Sequence, residues 1–363
     1  MGVPGGIERG AAGDDDPDSW DYAYNIMGPE TLSPGKLELL SPKNLHYGSN
    51  FSRMILEDGN DQTQTDYMAT TQAIALLESR AHPVADRARN LVKLKPKAPF
   101  FIGVGLVRPH VPFIAPERCF LPYPDSLMGV PSAEVDSTVP EAALFMQNEA
   151  IWGMDHVQKQ KTIAAYLASV QYMDEQVGRL LDALDRLDLR KNTIIVFVSD
   201  HGYNLGEHNS WSKVSLWEES VQVPLIISVP DAEETKGKNC NTITELIDLY
   251  PTLTDLCGLS DKNPKIIQGK NLSAFIKTSK PIEGAYYAYS ITKQGKGASI
   301  RSDRWRYNRW GDKPKPEQEE LYDHLNDPQE NHNLAHLPEY KATLKEMRKQ
   351  LDAFQKKAKT ALD

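Results

Sequence analysis

Residues 193–213, TIIVFVSDHGYNLGEHNSWSK, bring a charged cluster to the end of an apolar, β-branched run. The run 193–198 is typical of a buried strand, and Asp200, His201 and Lys213 follow it. Open α/β sheets bind their ligands at the carboxyl ends of strands. Aspartate and histidine suit a divalent cation, and a nearby lysine suits an anion. A strand-ending turn with Gly202 at positive φ fits the same residues, so the stretch alone does not decide the function.

The flanking sequence predicts an α/β sheet around this strand. Apolar runs and helical periodicities alternate on both sides of it, with a helix expected at 66–80, strands at 99–107 and 223–229, and helices at 159–187 and 243–256. A strand, a crossover helix and a further strand form the repeating unit of parallel sheets. Residues 66–260 are therefore expected to form a mixed, mostly parallel sheet flanked by helices.

The two ends of the chain differ in character from this central part. Residues 1–65 are rich in Gly, Pro, Asp, Asn and Ser and predict a loop-rich segment. Residues 261–363 predict a small antiparallel subdomain that ends in a helix. Its expected elements are strands at 285–291, 298–301, 305–310 and 320–322 and a helix at 338–357.

Composition limits the classes of function and partner. The 363 residues carry a formal net charge of −9, with 40% hydrophobic and 25% charged residues, as in an ordinary globular protein. This balance gives no general attraction to nucleic acid, so an anionic ligand must be held by local cations. No apolar run reaches the roughly 20 residues of a membrane span, and the amino terminus has no apolar segment of the signal-peptide type. The sequence predicts neither a nucleic-acid partner nor a membrane span, and it leaves the oligomeric state open.

A second candidate cluster follows the predicted strand 99–107. Arg108 and His110 come directly after this run, so they too are expected at the carboxyl end of a strand. Some of the candidate residues also have a simpler interpretation when taken alone. Lys213 fits a solvated lysine, and His110 fits a loop histidine packed on Phe113.

Five longer stretches occur in an order that matches one known family. They are VRPHVPFIAPERCFLPYP at 107–124, AAYLASVQYMDEQVGRLLDAL at 164–184, VSDHGYNLGEHNSWSKVSLWEESVQVPLI at 198–226, RSDRWRYNRW at 301–310 and ELYDHLNDPQENHNLA at 320–335. Together they resemble the sulfatases, most of all the iduronate-2-sulfatase-like branch. The resemblance implies the alkaline-phosphatase-like fold, an α/β sheet with a smaller C-terminal antiparallel subdomain, in agreement with the pattern of elements.

The resemblance also implies roles for the candidate residues. Asp200 and His201 match metal ligands of the family, usually to one Ca²⁺ ion, and Lys213 and His110 match residues that contact the sulfate and its bridging oxygen. Arg108 is a further candidate for contact with the anion. These roles suit hydrolysis of a sulfuric ester, in which charge builds on the leaving and sulfuryl oxygens. The implied substrate is a sulfated carbohydrate, for example an iduronate-2-sulfate-type glycan.

One departure from the family pattern concerns the nucleophile. Sulfatases use a formylglycine made from Cys or Ser within a C/S-x-P/A-x-R motif, and no such motif occurs in these 363 residues. Cys119, Cys240 and Cys257 lie in other contexts, so none of them takes this role. We therefore expect an amino-terminally truncated sulfatase that lacks a central strand and part of the metal shell. Such a chain is expected to turn over little of a chromogenic aryl sulfate.

Two alternatives remain open at this point. The chain could belong to a phosphate or phosphonate ester hydrolase of the same superfamily, with a Thr, Ser or unmodified Cys nucleophile. It could instead be a non-catalytic remnant that binds sulfated glycan or no ligand. The sequence leaves the compartment unknown, although the resemblance implies a parent protein that is exported to the periplasm or the cell exterior, or that is lysosomal.

Overall fold

The computed structural model describes residues 15, 16, 18–80, 84, 85, 91, 92, 98–132, 134–278, 286–292, 296–311, 313 and 315–360. The chain forms two compact units. The first contains Met1–Val130 and Ile151–Asn192, and the second contains Pro131–Ala150 and Thr193–Asp363. Among the described residues, no helix has the length and apolar character needed to cross a membrane.

The first unit combines short strands with two substantial helices. Its elements are β1 (Gly35–Leu39), β2 (Ser52–Leu56), α1 (Thr65–Glu78), β3 (Val84–Ala85), β4 (Leu91–Val92), β5 (Phe113–Pro116), α2 (Glu117–Phe120) and α3 (His156–Arg186). Strands β1, β2 and β5 form one sheet, in which β1 and β2 are antiparallel and β2 and β5 are parallel. Strands β3 and β4 form a separate antiparallel pair.

Helix α3 packs on the sheet of the first unit. It begins at a capping box, in which the Asp155 carboxylate accepts the Gln158 N–H at 2.8 Å and the Gln158 side chain accepts the Asp155 N–H at 2.9 Å. Its small residue Ala168 lets Tyr172 and the helix backbone lie close to Ala115 of β5. This packing holds β5, which directly follows the segment that carries Arg108 and His110.

The second unit has two β-ribbons followed by a four-stranded sheet. Its elements are β6 (Ile195–Val198), β7 (Asn204–Leu205), β8 (Trp211–Ser212), α4 (Glu218–Val221), β9 (Leu225–Ser228), α5 (Leu249–Leu256), α6 (Ser273–Thr278), β10 (Ala288–Thr292), β11 (Gly297–Arg301), β12 (Trp305–Trp310), β13 (Glu319–Asp323) and α7 (Lys341–Thr360). The pairs β6–β9 and β7–β8 are antiparallel ribbons. Strands β10 to β13 form an antiparallel sheet in chain order.

The four-stranded sheet has one apolar and one polar face. Ala298 and Ile300 of β11 point to α7, where they pack with Leu344, Met347 and Leu351. Because side chains alternate along a strand, the residues between them face the other way. That opposite face carries polar and charged side chains, namely Ser290, Thr292, Ser299, Arg301, Arg306 and Asn308.

Most helices and the C-terminal sheet agree with the sequence predictions. The helices expected at 66–80 and 159–187 are α1 and α3, and the antiparallel subdomain closed by a helix is β10–β13 with α7. Residue 285, the expected start of the first of these strands, lies outside the described residues. The helix expected at 243–256 is shorter, because residues 246–248 form a 3-10 turn before α5.

Two predictions about strands are wrong, and one segment contains strands that the sequence did not predict. Within the segment 1–65, predicted to be loop-rich, β1 and β2 form an antiparallel pair. Residues 99–107 form no strand, because no described segment pairs with their backbone, although their side chains alternate between half-buried and exposed as in extended chain. The ribbon β6–β9 is antiparallel rather than parallel. The connection 199–224 contains the ribbon β7–β8 and, as its α-helix, only the four-residue α4, whereas parallel neighbours are usually joined by a long crossover helix.

Strand β6 forms where the sequence predicts it, but it is not buried as expected. Ile195, Val196 and Phe197 are half-buried, and Val198 is 40% exposed. The physical reason is that β9 is the one strand paired with it in the described part of the chain, so its faces and one edge stay partly open. The apolar run therefore predicts the strand correctly and overestimates its burial.

Candidate active site

An open cleft of about 1330 Å³ in the second unit brings three of the candidate residues together. Asp200, His201 and Lys213 all line it, although they come from two separate places in the loop that follows β6. The walls are formed by the ribbon strand β9 and by β10 and β11 of the four-stranded sheet. The sequence predicted that Asp200, His201 and Lys213 act together, and the fold places them in one concavity.

The hydrogen bonds around His201 fix which ring nitrogen carries the proton. Its Nδ1 lies 2.7 Å from the carbonyl oxygen of Gly202, which can only accept, so Nδ1 donates. The lone pair of the neutral ring is therefore on Nε2, which lies 3.8 Å from Oδ2 of Asp200. The Asp200 side chain is 86% exposed, and its other oxygen accepts the His201 N–H at 3.0 Å. An imidazole ring that is oriented by a carbonyl group and lies beside an exposed carboxylate can supply two ligands to a divalent cation.

Gly202 allows the strand end to lie against α4. A Cβ at this position would be 2.0 Å from the carbonyl oxygen of Glu219, so only glycine fits. Glycine is thus required by this close approach and not by a positive φ, which Gly202 does not have. The close approach lets the Gly202 N–H donate to Ser220 at 2.9 Å and the Tyr203 N–H donate to Glu219 at 2.6 Å. The backbone that follows the Asp200–His201 pair is therefore held in place.

A buried polar network holds the loop that carries Lys213. The side-chain oxygen of Asn204, which is 1% exposed, accepts hydrogen bonds from the hydroxyls of Ser215 at 3.1 Å and Ser220 at 2.5 Å. In the same loop, the ring of His208 stacks on Trp217 with 4.2 Å between the ring centroids. Sequence reasoning assigned no role to Asn204, since its partners are 11 and 16 residues away in the chain.

The backbone on either side of Lys213 is strained. Ser212 has φ of 78° and Val214 has φ of 81°, which lies in the left-handed region. A β-branched residue such as valine rarely adopts this conformation, so the surrounding fold must impose it. Lys213 itself is half-buried in the cleft, and its ammonium has no carboxylate partner among the described residues. Such strain is common where a side chain is held for a ligand.

Arg108 and His110 lie in the first unit. The Asp66 carboxylate accepts the N–H groups of Val107 at 2.7 Å and Arg108 at 3.0 Å, and burial raises the pKa of Asp66. The Arg108 side chain is 1% exposed and its guanidinium pairs with Glu30. His110 is half-buried, with Nδ1 2.7 Å from the carbonyl oxygen of Val111. Arg108 is therefore already paired in this structure, and direct contact with an anion stays a prediction for both residues.

A second group of potential metal ligands lies deeper in the second unit. The ligand atoms of Glu218, His324 and Glu330 are within 4.8 Å of one another. However, the Arg306 guanidinium donates to both carboxylates, and His324 Nε2 lies 2.7 Å from Glu330. A metal ion would compete with Arg306 for the same oxygens. The donor set suits a buried ion-pair network rather than a metal site.

Comparison with known proteins gives a consistent result over most of the chain. Residues 27–259 match the family described as Sulfatase, and residues 206–357 match the family described as N-sulphoglucosamine sulphohydrolase, C-terminal. The chain is 32% identical over 295 residues to a sulfatase of Formosa agariphila, a match that covers 79% of this chain and 56% of that protein. It is 33% identical over 285 residues to the human iduronate 2-sulfatase, with coverage of 68% and 49%.

A solved structure supports the fold alone. The phosphonate monoester hydrolase of Agrobacterium radiobacter superposes with a TM-score of 0.65 at 23% identity, over 81% of this chain and 61% of that one. The fold class expected from the sequence, the alkaline-phosphatase-like fold, is therefore confirmed. The chain spans about half the length of the curated relatives described above.

Proposed function

The chain belongs to the sulfatase family, and we propose that the whole protein hydrolyses sulfuric esters of a sulfated carbohydrate. The observation that carries this proposal is the cleft of the second unit. It combines an exposed carboxylate, an imidazole with a free Nε2 lone pair and a lysine without a carboxylate partner among the described residues. The first two side chains suit a cation, and the cation and the lysine together can neutralise a sulfate group at several oxygens.

We assign the cation site to Asp200 and His201. Ca²⁺ is the proposed ion, because a carboxylate offers the hard donor that it prefers, and the two residues supply part of the six to eight ligands that it takes. When bound, a divalent cation supplies positive charge close to the ester oxygens. Asp200 contributes a negative ligand at the mouth of the cleft, and the Gly202 carbonyl keeps the His201 proton on Nδ1.

Lys213 and His110 are assigned to the anion and to the leaving group. An ammonium without a carboxylate partner in the described part of the chain is available for a sulfate oxygen, and its strained backbone limits the positions it can take. His110 is proposed to donate a proton to the leaving alcohol. Arg108 is proposed to hold the backbone that carries His110, and its contact with an anion would require the guanidinium to leave Glu30.

The nucleophile expected for the family is a formylglycine. Since no C/S-x-P/A-x-R motif lies within these 363 residues, we assign the nucleophile to none of them. Two observations support the proposed substrate class, one for its charge and one for its sugar. The net charge of −9 requires local cations for any anionic ligand, and the cleft provides one at Lys213. The name of the human relative indicates a sulfated uronic acid as the first compound to test.

Binding measurements on the purified chain test this function. We expect Ca²⁺ to increase the affinity for a 2-O-sulfated uronate disaccharide, and we expect Asp200→Asn and Lys213→Gln each to lower that affinity about tenfold. Lys262→Gln is the matched control, because Lys262 is 75% exposed and lies outside the cleft. Equal affinity for the sulfated and the unsulfated disaccharide in wild type would contradict the proposal. Tighter binding of a phosphonate ester than of the sulfate ester would do the same.

A further inference from the structure

Arg301 lies on the polar face of the four-stranded sheet and lines the same cleft as Lys213. It is the last residue of β11 and pairs across the sheet with Ala288 of β10 and Arg306 of β12. The neighbouring residue Ile300 points to α7, so the Arg301 side chain projects from the opposite face. Its side chain is 12% exposed. A guanidinium thus forms part of the cleft wall.

The hydrogen-bonding capacity of this guanidinium is not fully used. Its Nη1 donates to the carbonyl oxygen of Ser302, while Nε has no hydrogen-bond partner among the described residues. Nε lies 3.6 Å from the nearest carboxylate oxygen, on Glu218, which is too long for a hydrogen bond. A guanidinium has five N–H donors, and burial without acceptors is unfavourable.

Glu218 accepts its hydrogen bond from a different arginine. The same oxygen that faces Arg301 accepts a hydrogen bond from Nη2 of Arg306, and the Arg306 side chain is 2% exposed. Arg306 also pairs with Glu330, so the buried network is complete without Arg301. Burial lowers the pKa of Arg301, and the nearby carboxylates of Glu330 and Asp303 offset this effect only in part. Arg301 is therefore poorly explained as a structural ion-pair residue.

The distance between Arg301 and the Lys213 loop matches a ligand of more than one sugar. Thr292 at the other end of β10 donates to the carbonyl oxygen of Val214 at 2.8 Å, so this loop is attached at that end of the strand. Ala288, which pairs with Arg301, is four residues from Thr292 along β10, and this corresponds to a separation of about 13 Å. Two cationic side chains thus stand well apart along one wall of the cleft.

We propose that Arg301 binds a second anionic group of the substrate, on a different position from the sulfate held at Lys213. The ligand class is an oligosaccharide with at least two anionic groups, the second being a carboxylate or a sulfate. Either group presents two oxygens that fit the guanidinium fork. The assignment rests on the proposed function, because the proposed function places the sulfate ester near Lys213. It adds a determinant of specificity that selects polyanionic glycans over singly charged esters.

Three disaccharide probes test the assignment by equilibrium binding to the full chain. They share one O-sulfate and differ in the second group, which is absent, a uronate carboxylate or a second sulfate. Wild type should bind at least one of the dianionic probes about tenfold more tightly than the monoanionic probe. Arg301→Gln should abolish this preference while changing the affinity for the monoanionic probe less than about twofold. The two dianionic probes separate a carboxylate site from a sulfate site.

Three further variants keep the outcomes distinct. Arg301→Lys retains the charge without the fork and should keep only part of the preference, and its thermal unfolding curve reports whether the fold is intact. Lys213→Gln should weaken all three probes equally, whereas Lys262→Gln should change none. If Arg301→Gln keeps the preference for dianionic probes, the inference is wrong. If Lys213→Gln has no effect while Arg301→Gln abolishes the preference, the proposed function fails and the Arg301 site stands.

Discussion

Glu219 is the residue whose environment has the clearest consequence for pH. Its side chain is half-buried on α4, and its Oε2 is buried without a hydrogen-bond partner in the described part of the chain. Burial, followed by the nearby carboxylates of Glu330 and Glu207, raises the pKa of Glu219 to about 7. The folded protein therefore keeps a proton at this position up to a higher pH than the unfolded chain does.

We expect the Glu219 carboxyl to make the fold less stable as pH rises. Its contribution is fully present below about pH 4.5, the pKa in the unfolded chain, and is lost as pH rises through about 7. The loss is about 3 kcal/mol at most, because each pKa unit corresponds to about 1.4 kcal/mol. Glu219→Gln should remove this component, so the free energy of unfolding of wild type and variant should diverge between these pH values. Urea unfolding of both proteins at several pH values measures this divergence.

The control for this series is Glu233→Gln. The Glu233 side chain is 74% exposed and pairs with Lys236 on the surface, so its substitution should leave the pH profile unchanged. If the wild-type and Glu219→Gln profiles run parallel from about pH 4.5 to about pH 7.5, Glu219 has an ordinary pKa in the folded state.

The candidate site could be predicted from sequence only where neighbours in the chain carry the chemistry. Asp200 and His201 are adjacent and follow an apolar run, and Lys213 belongs to the same loop. All three line one cleft in the structure, while their roles stay predictions. Arg301 carries no such signal, because its significance depends on Glu218 being paired with another arginine far along the chain. Sequence reasoning therefore recovers a local cluster and misses residues defined by their tertiary partners.

At the scale of elements, the C-terminal sheet was the easiest part to predict. Strands β10 to β13 pair with their neighbours in the chain, and α7 has its apolar residues at helical spacing, so local pattern determines both. The pairing of β6 with β9, and the lack of a paired strand for 99–107 among the described residues, depend instead on distant backbone. An apolar run indicates extended chain, but it does not identify the partner strand.

The contact between α7 and this sheet should contribute strongly to stability. Leu351 is completely buried between the helix and Ile300 and Leu321 of the sheet. We expect Leu351→Ala to lower the free energy of unfolding of the second unit by about 3 kcal/mol, through lost apolar burial and the cavity that remains. Lys349→Ala, at an exposed position of the same helix, should change it by less than about 0.5 kcal/mol. Chemical denaturation followed by circular dichroism compares the two, and equal effects would show that α7 does not pack on the sheet.

On the scale of the molecule, each unit presents large apolar side chains to solvent on extended chain. In the first unit, Phe101 is 74% exposed on the extended segment 99–107. In the second unit, Ile226 is 62% and Val198 is 40% exposed on the ribbon β6–β9. Isolated exposed apolar residues are normal, but on this short ribbon each face carries one, so either face can bind an apolar ligand.

We expect the native protein to bind an environment-sensitive apolar dye at the ribbon. Val198 pairs with Leu225 and Ile226 pairs with Phe197, so Val198 and Ile226 lie on opposite faces and each face is apolar. The double variant Val198→Thr with Ile226→Thr should therefore reduce dye fluorescence about twofold, because threonine keeps the β-branched shape while adding a hydroxyl. Leu325→Thr is the control, since Leu325 is 71% exposed outside this ribbon. A reduction of the same size in the control would mean that the dye reports general exposure rather than the ribbon.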